Sequence, residues 1–465
     1  MQTTLTQSKP FSIEDAPIAD DLKPITTDQR TVGIFAYMSM WLGDGFNIGN
    51  ITLGSSLVVA GTATMNLFQT LIAAGIAILI ISIIFALNDR FGYLTGAPYV
   101  MQLRLSFGKT GAKFASLLRG IPAIVWFGFQ SWTGALALNQ ILKIMTNGTF
   151  NHTAICFVIM QICQILIALK GFKSIKVVTS IISMIVMIAL LSVFGLLISQ
   201  HGEVIQKNLV DVHGSWGLTF FSFIVAFLGN YTAIFESAAD YSRELRPELS
   251  NKYRGLLYFL PITLAYGITI VTGAMLAAVT GISSPVNAIG HIFNNNLITL
   301  FVSGFIVLGV ITTNSVANIM PPTYILTSLF KLPQKWAITI VGILAAGSFP
   351  WLLVQDSSSA GLALFIRAYS IFLGPMTAII LVEYYLERRQ SIQLETLYND
   401  YRQQPVKWNA PIALVIGAAI ALTQVELSWL IGFAAGGIAY WILNRIHQEP
   451  RELIKNQPAD SLDVE

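Results

Sequence analysis

The sequence is constrained most by its long apolar segments, which contain few or no charged residues. Four of them cover residues 66–87, 177–197, 258–279 and 297–310. A helix of about 20 apolar residues matches the roughly 30 Å hydrocarbon core of a bilayer. Because every backbone polar group in hydrocarbon needs an internal partner, such segments are predicted to be helices. The sequence therefore predicts an all-α, multi-pass membrane protein.

The composition supports this class. Charged residues make up 11% of the 465 residues, and the net charge is +3. A soluble domain carries about 25% charged residues, so few remain here for a water-facing surface. No basic stripe with interleaved aromatic residues is present, which argues against binding to nucleic acid. Cys156 and Cys163 lie about 10 Å apart along one predicted helix, too far for a disulfide bond, and both are predicted to be core residues.

The apolar segments and the loop charges together predict the topology. Twelve transmembrane helices are expected, centred near residues 46, 77, 132, 161, 187, 227, 267, 309, 343, 373, 415 and 436. Basic residues concentrate in the even-numbered loops, so the positive-inside rule places both termini in the cytoplasm, in a bacterial inner membrane or plasma membrane. The basic residues assigned to these loops are Arg90, Arg104, Lys109, Lys113, Arg119, Lys170, Lys173, Lys176, Arg243, Arg246, Lys252, Arg254, Lys331, Lys335, Arg388, Arg389, Arg402 and Lys407.

The predicted helices divide the chain into two five-helix halves and a C-terminal pair. A cytoplasmic tail covers residues 1–30, and it lacks the basic and apolar regions of a signal peptide. Helices 1–5 (31–200) and helices 6–10 (201–390) form two predicted inverted repeats. Helices 11 and 12 follow at 391–446, before a second cytoplasmic tail at 447–465.

Two predicted helices contain residues that disfavour a helix. Residues 43–50 of helix 1 include glycine, aspartate and asparagine, and Gly229-Asn230 lies within helix 6. Glycine costs about 1 kcal/mol relative to alanine inside a helix, and aspartate and asparagine compete for backbone groups. Non-helical backbone at membrane depth is tolerated only where it faces protein or water. Broken helices at corresponding positions of the two halves indicate an inverted-repeat transporter with a midplane binding site.

Helix 3 offers a stacking surface beside an amide. Trp126 and Gln130 are one helical turn apart and therefore share a face. A planar heterocyclic amide would stack on the indole ring and hydrogen-bond to the glutamine. The alternative is that Trp126 packs between helices and that Gln130 bonds to a neighbouring helix.

Helix 8 contains the adjacent hydroxyl groups of Thr312 and Thr313. With free carbonyl groups from a broken helix they would suit a small hard cation such as Na⁺. The alternative is that each hydroxyl bonds to its own backbone one turn back. Asn318 lies about one and a half turns further on, within reach of a substrate at the same depth, and Pro321-Pro322 are predicted to end the helix.

Three acidic residues lie in or near the membrane segments. Asp44 falls within the predicted break of helix 1, where a carboxylate is costly, so it is a candidate proton or cation site. The alternative is that Asp44 caps a half-helix or bonds to exposed amides of the break. Glu236 and Asp240 lie towards the cytoplasmic end of helix 6, and Asp240 is expected to pair with Arg243.

Enzyme classes find no support in the sequence. It contains no Gly-rich phosphate loop, no HExxH motif and no serine nucleophile elbow. A large soluble nucleotide-binding domain, which an ATP-driven pump would need, is also absent. No cofactor is expected beyond a coupling ion such as Na⁺.

Several segments, spread in order from about residue 20 to residue 325, resemble one family. This is the nucleobase–cation symporter family 1, which includes hydantoin, allantoin, cytosine and uracil permeases. The loop before helix 3 is one of the similar segments, together with parts of helices 1, 3 and 8. The segments are Asp21-Leu22-Lys23-Pro24 with Arg30-Thr31, Trp41-Leu42-Gly43-Asp44-Gly45-Phe46-Asn47-Ile48, Gly96-Ala97-Pro98, Arg104-Leu105-Ser106-Phe107-Gly108, Trp126 to Trp132, Gly309 to Pro322, and Asp240-Tyr241-Ser242-Arg243.

The resemblance implies a leucine-transporter-type fold, with two inverted five-helix repeats and two additional helices. It implies that Trp126 stacks on the substrate ring and that Gln130 hydrogen-bonds to its edge. Asn47 and Asn318 would bind the remaining amide or carbonyl groups of the substrate.

The same resemblance implies a cation site between helices 1 and 8. Carbonyl groups of Gly43 and Phe46 would form it together with Gly309, Thr312 and Thr313. The implied activity is cation-coupled symport of a planar nitrogen heterocycle across the bilayer by alternating access. The alternative is a receptor or channel that binds a heterocycle without ion-coupled accumulation.

Two features depart from the family pattern. Several members carry a second tryptophan on helix 6 where this chain has Asn230, beside Gly229, and both residues are candidates for the substrate site. Phe227 or Phe223 would partly replace the lost stacking face. Asp44 is shared with a branch that resembles proton symporters, so the coupling ion is either Na⁺ or H⁺.

Overall fold

The structure is a computed structural model that describes residues 12–46, 48–56, 65–210, 213–214, 216–247, 253–282, 285–293, 295–352, 358–400 and 403–447. Within these ranges the regular secondary structure is helical, and the β-type pairing is an isolated bridge between Val32 and Leu245. The α-helices are α1 Ile34–Gly45, α2 Ile48–Ser56, α3 Leu67–Thr95, α4 Tyr99–Met145, α5 Thr153–Leu169, α6 Phe172–Val210, α7 Leu218–Glu236, α8 Ala238–Ser242, α9 Leu256–Ile262, α10 Ile268–Thr280, α11 Pro285–Phe293, α12 Asn296–Thr313, α13 Met320–Phe330, α14 Gln334–Gly347, α15 Ser358–Leu381, α16 Leu394–Tyr398, α17 Asn409–Ala421 and α18 Ser428–Ile446.

Twelve membrane helices are formed by these elements, as predicted. In the described part of the chain, eight helical stretches are long and apolar enough to cross a bilayer. Three shorter apolar helices, α5, α14 and α17, and the broken pair α1 and α2 complete the set. Many large apolar side chains on the outer surface are exposed, among them Leu79, Ile83 and Leu166. Such a surface is typical of contact with lipid rather than water.

The predicted break in helix 1 lies between α1 and α2. The helix ends at Gly45, Phe46 is non-helical (φ −83°, ψ 64°), and α2 begins at Ile48. A side chain at Gly45 would collide with the backbone of Tyr266, because its Cβ atom would lie 2.7 Å from the Tyr266 backbone nitrogen. Glycine therefore allows the end of α1 to pack closely against the segment between α9 and α10, which is part of predicted helix 7.

The predicted break at Gly229-Asn230 in helix 6 is wrong. α7 continues through both residues to Glu236, and the helix is interrupted at Ser237 (φ −92°, ψ 27°) before α8. Gly229 instead permits close packing, since a Cβ atom there would lie 2.9 Å from Ile366 Cγ2 on α15. The Asn230 side chain hydrogen-bonds to another helix, so it does not compete for the local backbone.

Helix 8 does not end at Pro321-Pro322, in contrast to the prediction. α12 passes into a π-helical segment, Asn314–Ile319, and continues as α13 from Met320. The two prolines occupy the first turn of α13, where a missing backbone N–H costs little. The π segment widens the helix at the depth of the predicted cation and substrate residues.

The segment expected as a loop before helix 3 is largely helical. α4 starts at Tyr99, and the kink at Gly108 (φ 78°) divides it into a short first part and the long membrane helix. A left-handed conformation of this kind favours glycine. Arg119, which the topology prediction assigned to a loop, lies inside α4 and is fully buried. Its apolar surroundings in the sequence gave no sign of the polar groups that contact it in the fold.

The two cysteines are free, as predicted, but they do not share an environment. Cys156 is buried in α5, whereas Cys163 is exposed on the outer surface of the same helix. The prediction that both are core residues is therefore wrong for Cys163. Because α5 is a peripheral helix, only part of its surface packs against the protein.

Candidate functional site

A cavity lies where the break of helix 1 faces α4, α7 and the π segment of helix 8. Five of the predicted substrate and proton-coupling residues line it, and so does Thr313 from the predicted cation site. The lining residues are Asp44, Asn50, Trp126, Gln130, Asn230, Tyr231, Ala233, Ile234, Thr313, Ala317 and Asn318. Gly229 does not line the cavity, because it packs against α15. Asn47 lies outside the described residues.

Trp126 is fixed in orientation by neighbouring side chains. Its Nε1 donates a hydrogen bond of 3.3 Å to the Tyr369 hydroxyl on α15. Its ring makes an edge contact with Phe129 at 5.4 Å, measured between ring centroids, and lies 6.1 Å from Phe365. The indole is thus held by α15 while it still lines the cavity, as a stacking surface requires.

Gln130 supplies a hydrogen-bond acceptor at the cavity wall. Its side chain is buried, and no donor among the described residues reaches its Oε1 atom. Buried polar atoms are normally hydrogen-bonded, so an acceptor of this kind beside a cavity is available to a bound molecule. The predicted face shared by Trp126 and Gln130 is therefore present.

An amide pair connects helices 1 and 6 across the cavity. Asn230 Nδ2 donates to Asn50 Oδ1 at 2.7 Å and to the Tyr266 hydroxyl at 3.4 Å, and Asn50 Nδ2 donates to the Gly45 carbonyl at 2.9 Å. Sequence reasoning missed Asn50, although it lies within the predicted break. Tyr231, which was also missed, places its hydroxyl group beside the Asp44 carboxyl group.

Asn318 is oriented by an amide network within helix 8. Its Nδ2 donates to Asn314 Oδ1 at 2.9 Å, and Asn314 Nδ2 donates to Gln164 Oε1 at 2.7 Å and to Ser131 Oγ at 3.2 Å. These contacts connect the π segment to α4 and α5. Asn314 was not predicted to support the site, although its position four residues before Asn318 was a signal.

The predicted cation-site groups converge where α1 meets α12. Thr313 Oγ1 donates to the Gly43 carbonyl at 3.1 Å and to the Asp44 carbonyl at 3.4 Å. A Cβ atom at Gly309 would lie 2.6 Å from the Phe46 carbonyl oxygen, so glycine leaves a space beside that oxygen. All the predicted groups offer carbonyl or hydroxyl oxygen atoms, which are the ligands that hard cations bind.

Thr312 and Thr313 make different hydrogen bonds, one within helix 8 and one to helix 1. Thr312 Oγ1 donates to the Gly309 carbonyl at 2.8 Å in its own helix, which is the local bond expected of a membrane threonine. Thr313 bonds across to helix 1 instead. The arrangement therefore contains a hydroxyl from each residue, but only Thr313 joins the two helices.

Arg119 does not line the cavity but hydrogen-bonds to a residue that does, Ala317, and it was not predicted as part of the site. Its Nε donates to Ser237 Oγ at 3.1 Å, and its Nη2 donates to the Ala317 carbonyl at 2.9 Å. Ser237 is the interruption of helix 6, and Ala317 lies in the π segment of helix 8. The arginine thereby connects three helices that surround the cavity. An arginine seven residues before Trp126 within an apolar stretch was the available signal.

Comparison with known proteins gives the family. The chain is 25% identical to the allantoin permease of Bacillus subtilis over 92% of this chain and 93% of that protein. It is 25% identical to a purine-uracil permease of Arabidopsis thaliana, over 91% of this chain and 77% of that protein. The solved structure of Mhp1, a nucleobase-cation-symport-1 family transporter in a closed conformation with bromovinylhydantoin bound, superposes with a TM-score of 0.79. Its sequence is 21% identical, and the match covers 92% of this chain and 96% of Mhp1.

These matches agree with the fold derived above, which is of the leucine-transporter type. They also agree with the absence of catalytic motifs from the sequence, because every protein named is a transporter or permease. The family model described as a permease for cytosine/purines, uracil, thiamine and allantoin matches residues 24–443. The chain therefore belongs to this permease family, as an integral, multi-pass membrane transporter and not an enzyme.

Proposed function

We propose that the cavity binds a planar nitrogen heterocycle with adjacent N–H and C=O groups, such as a nucleobase, hydantoin or allantoin. The observation that carries this proposal is the pairing of the fixed Trp126 ring with the open Gln130 acceptor. The indole provides a stacking face, and the Gln130 oxygen accepts from a ring N–H group. Amides of Asn230 and Asn318 line the same cavity and provide further donors and acceptors. Asn47 is proposed as an additional contact, from the family resemblance.

The names of the relatives are consistent with this class of substrate. Allantoin, uracil, purines and the bromovinylhydantoin bound to Mhp1 all contain a nitrogen ring with amide-type edges. Stacking alone tolerates many rings, so selection among them depends on the hydrogen-bonding edge. Asn230 offers an amide where several relatives carry an aromatic ring, which favours substrates with an additional polar group on that side.

Transport is proposed to be coupled to a cation at the α1–α12 contact. The carbonyl groups of Gly43 and Phe46, with Gly309, Thr312 and Thr313, form an oxygen-rich set that suits Na⁺. Protons carried by Asp44 are the competing candidate, because this buried carboxyl group lines the substrate cavity. Either ion would act beside the substrate.

Coupling would arise because substrate and cation share the break of helix 1. The Asp44 carbonyl accepts a hydrogen bond from Thr313, and the Asp44 side chain lines the cavity. A ligand at one position therefore orders groups that the other ligand needs, which makes the two affinities reciprocal. Alternating access would move helices 1, 2, 6 and 7 against helices 3, 4, 8 and 9, with both termini in the cytoplasm.

A ligand-panel thermal-shift assay tests this function. Purified protein is heated with uracil, cytosine, adenine, hydantoins, allantoin or thiamine, each in sodium and in choline buffer. A ligand that binds the folded state raises the unfolding temperature by mass action. We expect at least one heterocycle to stabilise the protein, and to do so more strongly in sodium.

The matched controls are two tryptophan variants. Trp126→Ala should remove the ligand-induced shift, whereas Trp336→Ala, an exposed site on α14, should retain it. A full ligand response in Trp126→Ala would contradict the site. A response that is equal in sodium and choline would contradict Na⁺ coupling.

A further inference from the structure

A second cavity, of about 160 Å³, lies on the face of the protein that holds the N-terminal segment. Its walls come from the start of α4, the end of helix 8, residues 17–22 and the segment before α17. It is distinct from the substrate cavity, since none of its lining residues is shared with it. The volume exceeds that of several water molecules, at about 30 Å³ each, so a small polyatomic group would fit.

The charge of this cavity is strongly positive. Arg104, Lys109, Lys113 and Lys331 line it, against the single carboxylate of Asp400. Arg104 Nη1 pairs with Asp400 Oδ1 at 2.9 Å, so this carboxylate is already engaged by an arginine. Lys109 Nζ donates to the Asp400 backbone carbonyl at 2.9 Å, a neutral partner that adds no negative charge to the cavity. The excess positive charge therefore favours an anion.

A buried hydroxyl group provides a second, independent observation. Thr327 lines the cavity from α13 with a relative exposure of 1%, and its Oγ1 atom has no hydrogen-bond partner among the described residues. Several threonines in the described helices donate to the carbonyl four residues earlier, as Thr323 does at 2.7 Å. Thr327 does not, so its hydroxyl group is available to a molecule in the cavity. Arg104, with a relative exposure of 5%, is similarly buried at this site.

We propose that this cavity binds a phosphate group, either of an anionic lipid headgroup or of a free phosphate compound. Cationic side chains approach from α4 and from the end of α13, and the Thr327 hydroxyl adds a neutral donor. A tetrahedral anion with several acceptor oxygens can engage donors from different directions, which charge-assisted hydrogen bonds then stabilise. A bound phosphate group would connect α4 to helix 8 beneath the N-terminal segment.

The test is a titration of full-length protein purified in an uncharged detergent. Inorganic phosphate is compared with chloride at matched ionic strength, and short-chain phosphatidylglycerol is compared with phosphatidylcholine of the same chain length. The unfolding temperature reports binding. We expect saturable stabilisation by phosphate, by phosphatidylglycerol, or by both. Stabilisation by phosphate identifies a free anion as sufficient, and stabilisation by phosphatidylglycerol alone identifies a lipid headgroup.

Variants assign the effect to this cavity. Lys113→Gln and, separately, Lys331→Gln should each weaken the apparent affinity at least tenfold. Lys335→Gln removes the same charge from an exposed position on α14 that does not line the cavity, and should change the affinity less than twofold. The proposal is overturned if neither phosphate nor phosphatidylglycerol stabilises the protein saturably. It is equally overturned if all three variants respond like the parent protein.

Discussion

Gln130 is the side chain on which the proposed specificity of the cavity depends most. Its Oε1 atom is buried and open to the cavity, while Trp126 one turn away is fixed by Tyr369. In the proposed function the ring face would give affinity to any planar molecule, and the amide oxygen would distinguish rings by the position of an N–H group. The two residues were predictable together, because their spacing is local in the sequence.

The first prediction concerns this acceptor. Gln130→Ala should weaken substrate binding about tenfold, since a hydrogen bond in a buried site contributes about 1–1.5 kcal/mol. Isothermal titration or the concentration dependence of the thermal shift measures the change. Gln161→Ala removes a buried glutamine of α5 outside the cavity and serves as the control. Equal affinities in the two variants would show that Gln130 does not contact the substrate.

The second prediction compares Thr313 with Thr323, another threonine of helix 8. Thr313→Ala should raise the sodium concentration needed for half-maximal substrate binding, because it removes an oxygen donor and the bond to the Gly43 carbonyl. Thr323→Ala, which loses a bond only to its own helix, should leave the sodium dependence unchanged. The measurement is substrate affinity as a function of sodium concentration. A parent-like sodium response in Thr313→Ala would reject this cation site.

Asp44 carries the third prediction, which addresses the choice of ion. If sodium is the coupling ion, Asp44→Asn should preserve a sodium-dependent response, since the neutral amide keeps the size of the side chain. Substrate uptake driven by a sodium gradient and by a pH gradient measures this directly. Loss of a pH-driven uptake in the variant, together with no response to sodium in the parent protein, would assign coupling to protons.

At the scale of elements, the sequence predicted the helices better than their interruptions. The break of helix 1 was predictable because glycine, aspartate and asparagine cluster there. Gly229-Asn230 gave the same local signal, yet α7 is continuous, because Gly229 serves the contact with α15. The sequence alone does not show whether a glycine breaks a helix or allows close packing. The tertiary contact distinguishes these two roles.

The candidate site also depends on contacts between segments that are distant in the sequence, and local sequence patterns do not predict such contacts. The Asn50–Asn230 amide pair joins residues that are 180 positions apart, and Arg119 reaches Ser237 and Ala317 from a third helix. Neither contact follows from local spacing. The π segment of helix 8 was likewise hidden, because Pro321-Pro322 resemble a helix end until the preceding turn is seen to widen.

The fourth prediction tests the connection made by Arg119. Arg119→Ala should lower the free energy of unfolding by about 2–4 kcal/mol, because it removes two buried charge-assisted hydrogen bonds and leaves Ser237 and Ala317 without this donor. Unfolding of the purified protein in detergent, followed by intrinsic fluorescence, measures the change. Arg246→Ala, at an exposed position after α8, is the matched control. A stability equal to that of the control would show that the connection contributes nothing to the fold.

At the scale of the whole molecule, helices from both predicted halves surround one cavity. The cavity takes residues from helices 1, 3, 6 and 8, and the groups of the proposed cation site come from helices 1 and 8. Helices 1 and 6 belong to one of the two groups that are proposed to move in alternating access, and helices 3 and 8 belong to the other, so such a site would change whenever one group moves against the other. A receptor with the same cavity would bind the heterocycle, but it would not concentrate it across a membrane.

Uptake into sealed proteoliposomes distinguishes cation-coupled symport from binding without accumulation. Radiolabelled substrate, chosen from the thermal-shift panel, is offered with an inward sodium gradient, with equal sodium on both sides, or with choline. Sodium-coupled symport predicts accumulation above the external concentration only with the gradient, collapse of this accumulation when a sodium ionophore is added, and its absence in Trp126→Ala. Substrate that merely equilibrates under every ionic condition, including an imposed pH gradient, would contradict cation-coupled symport.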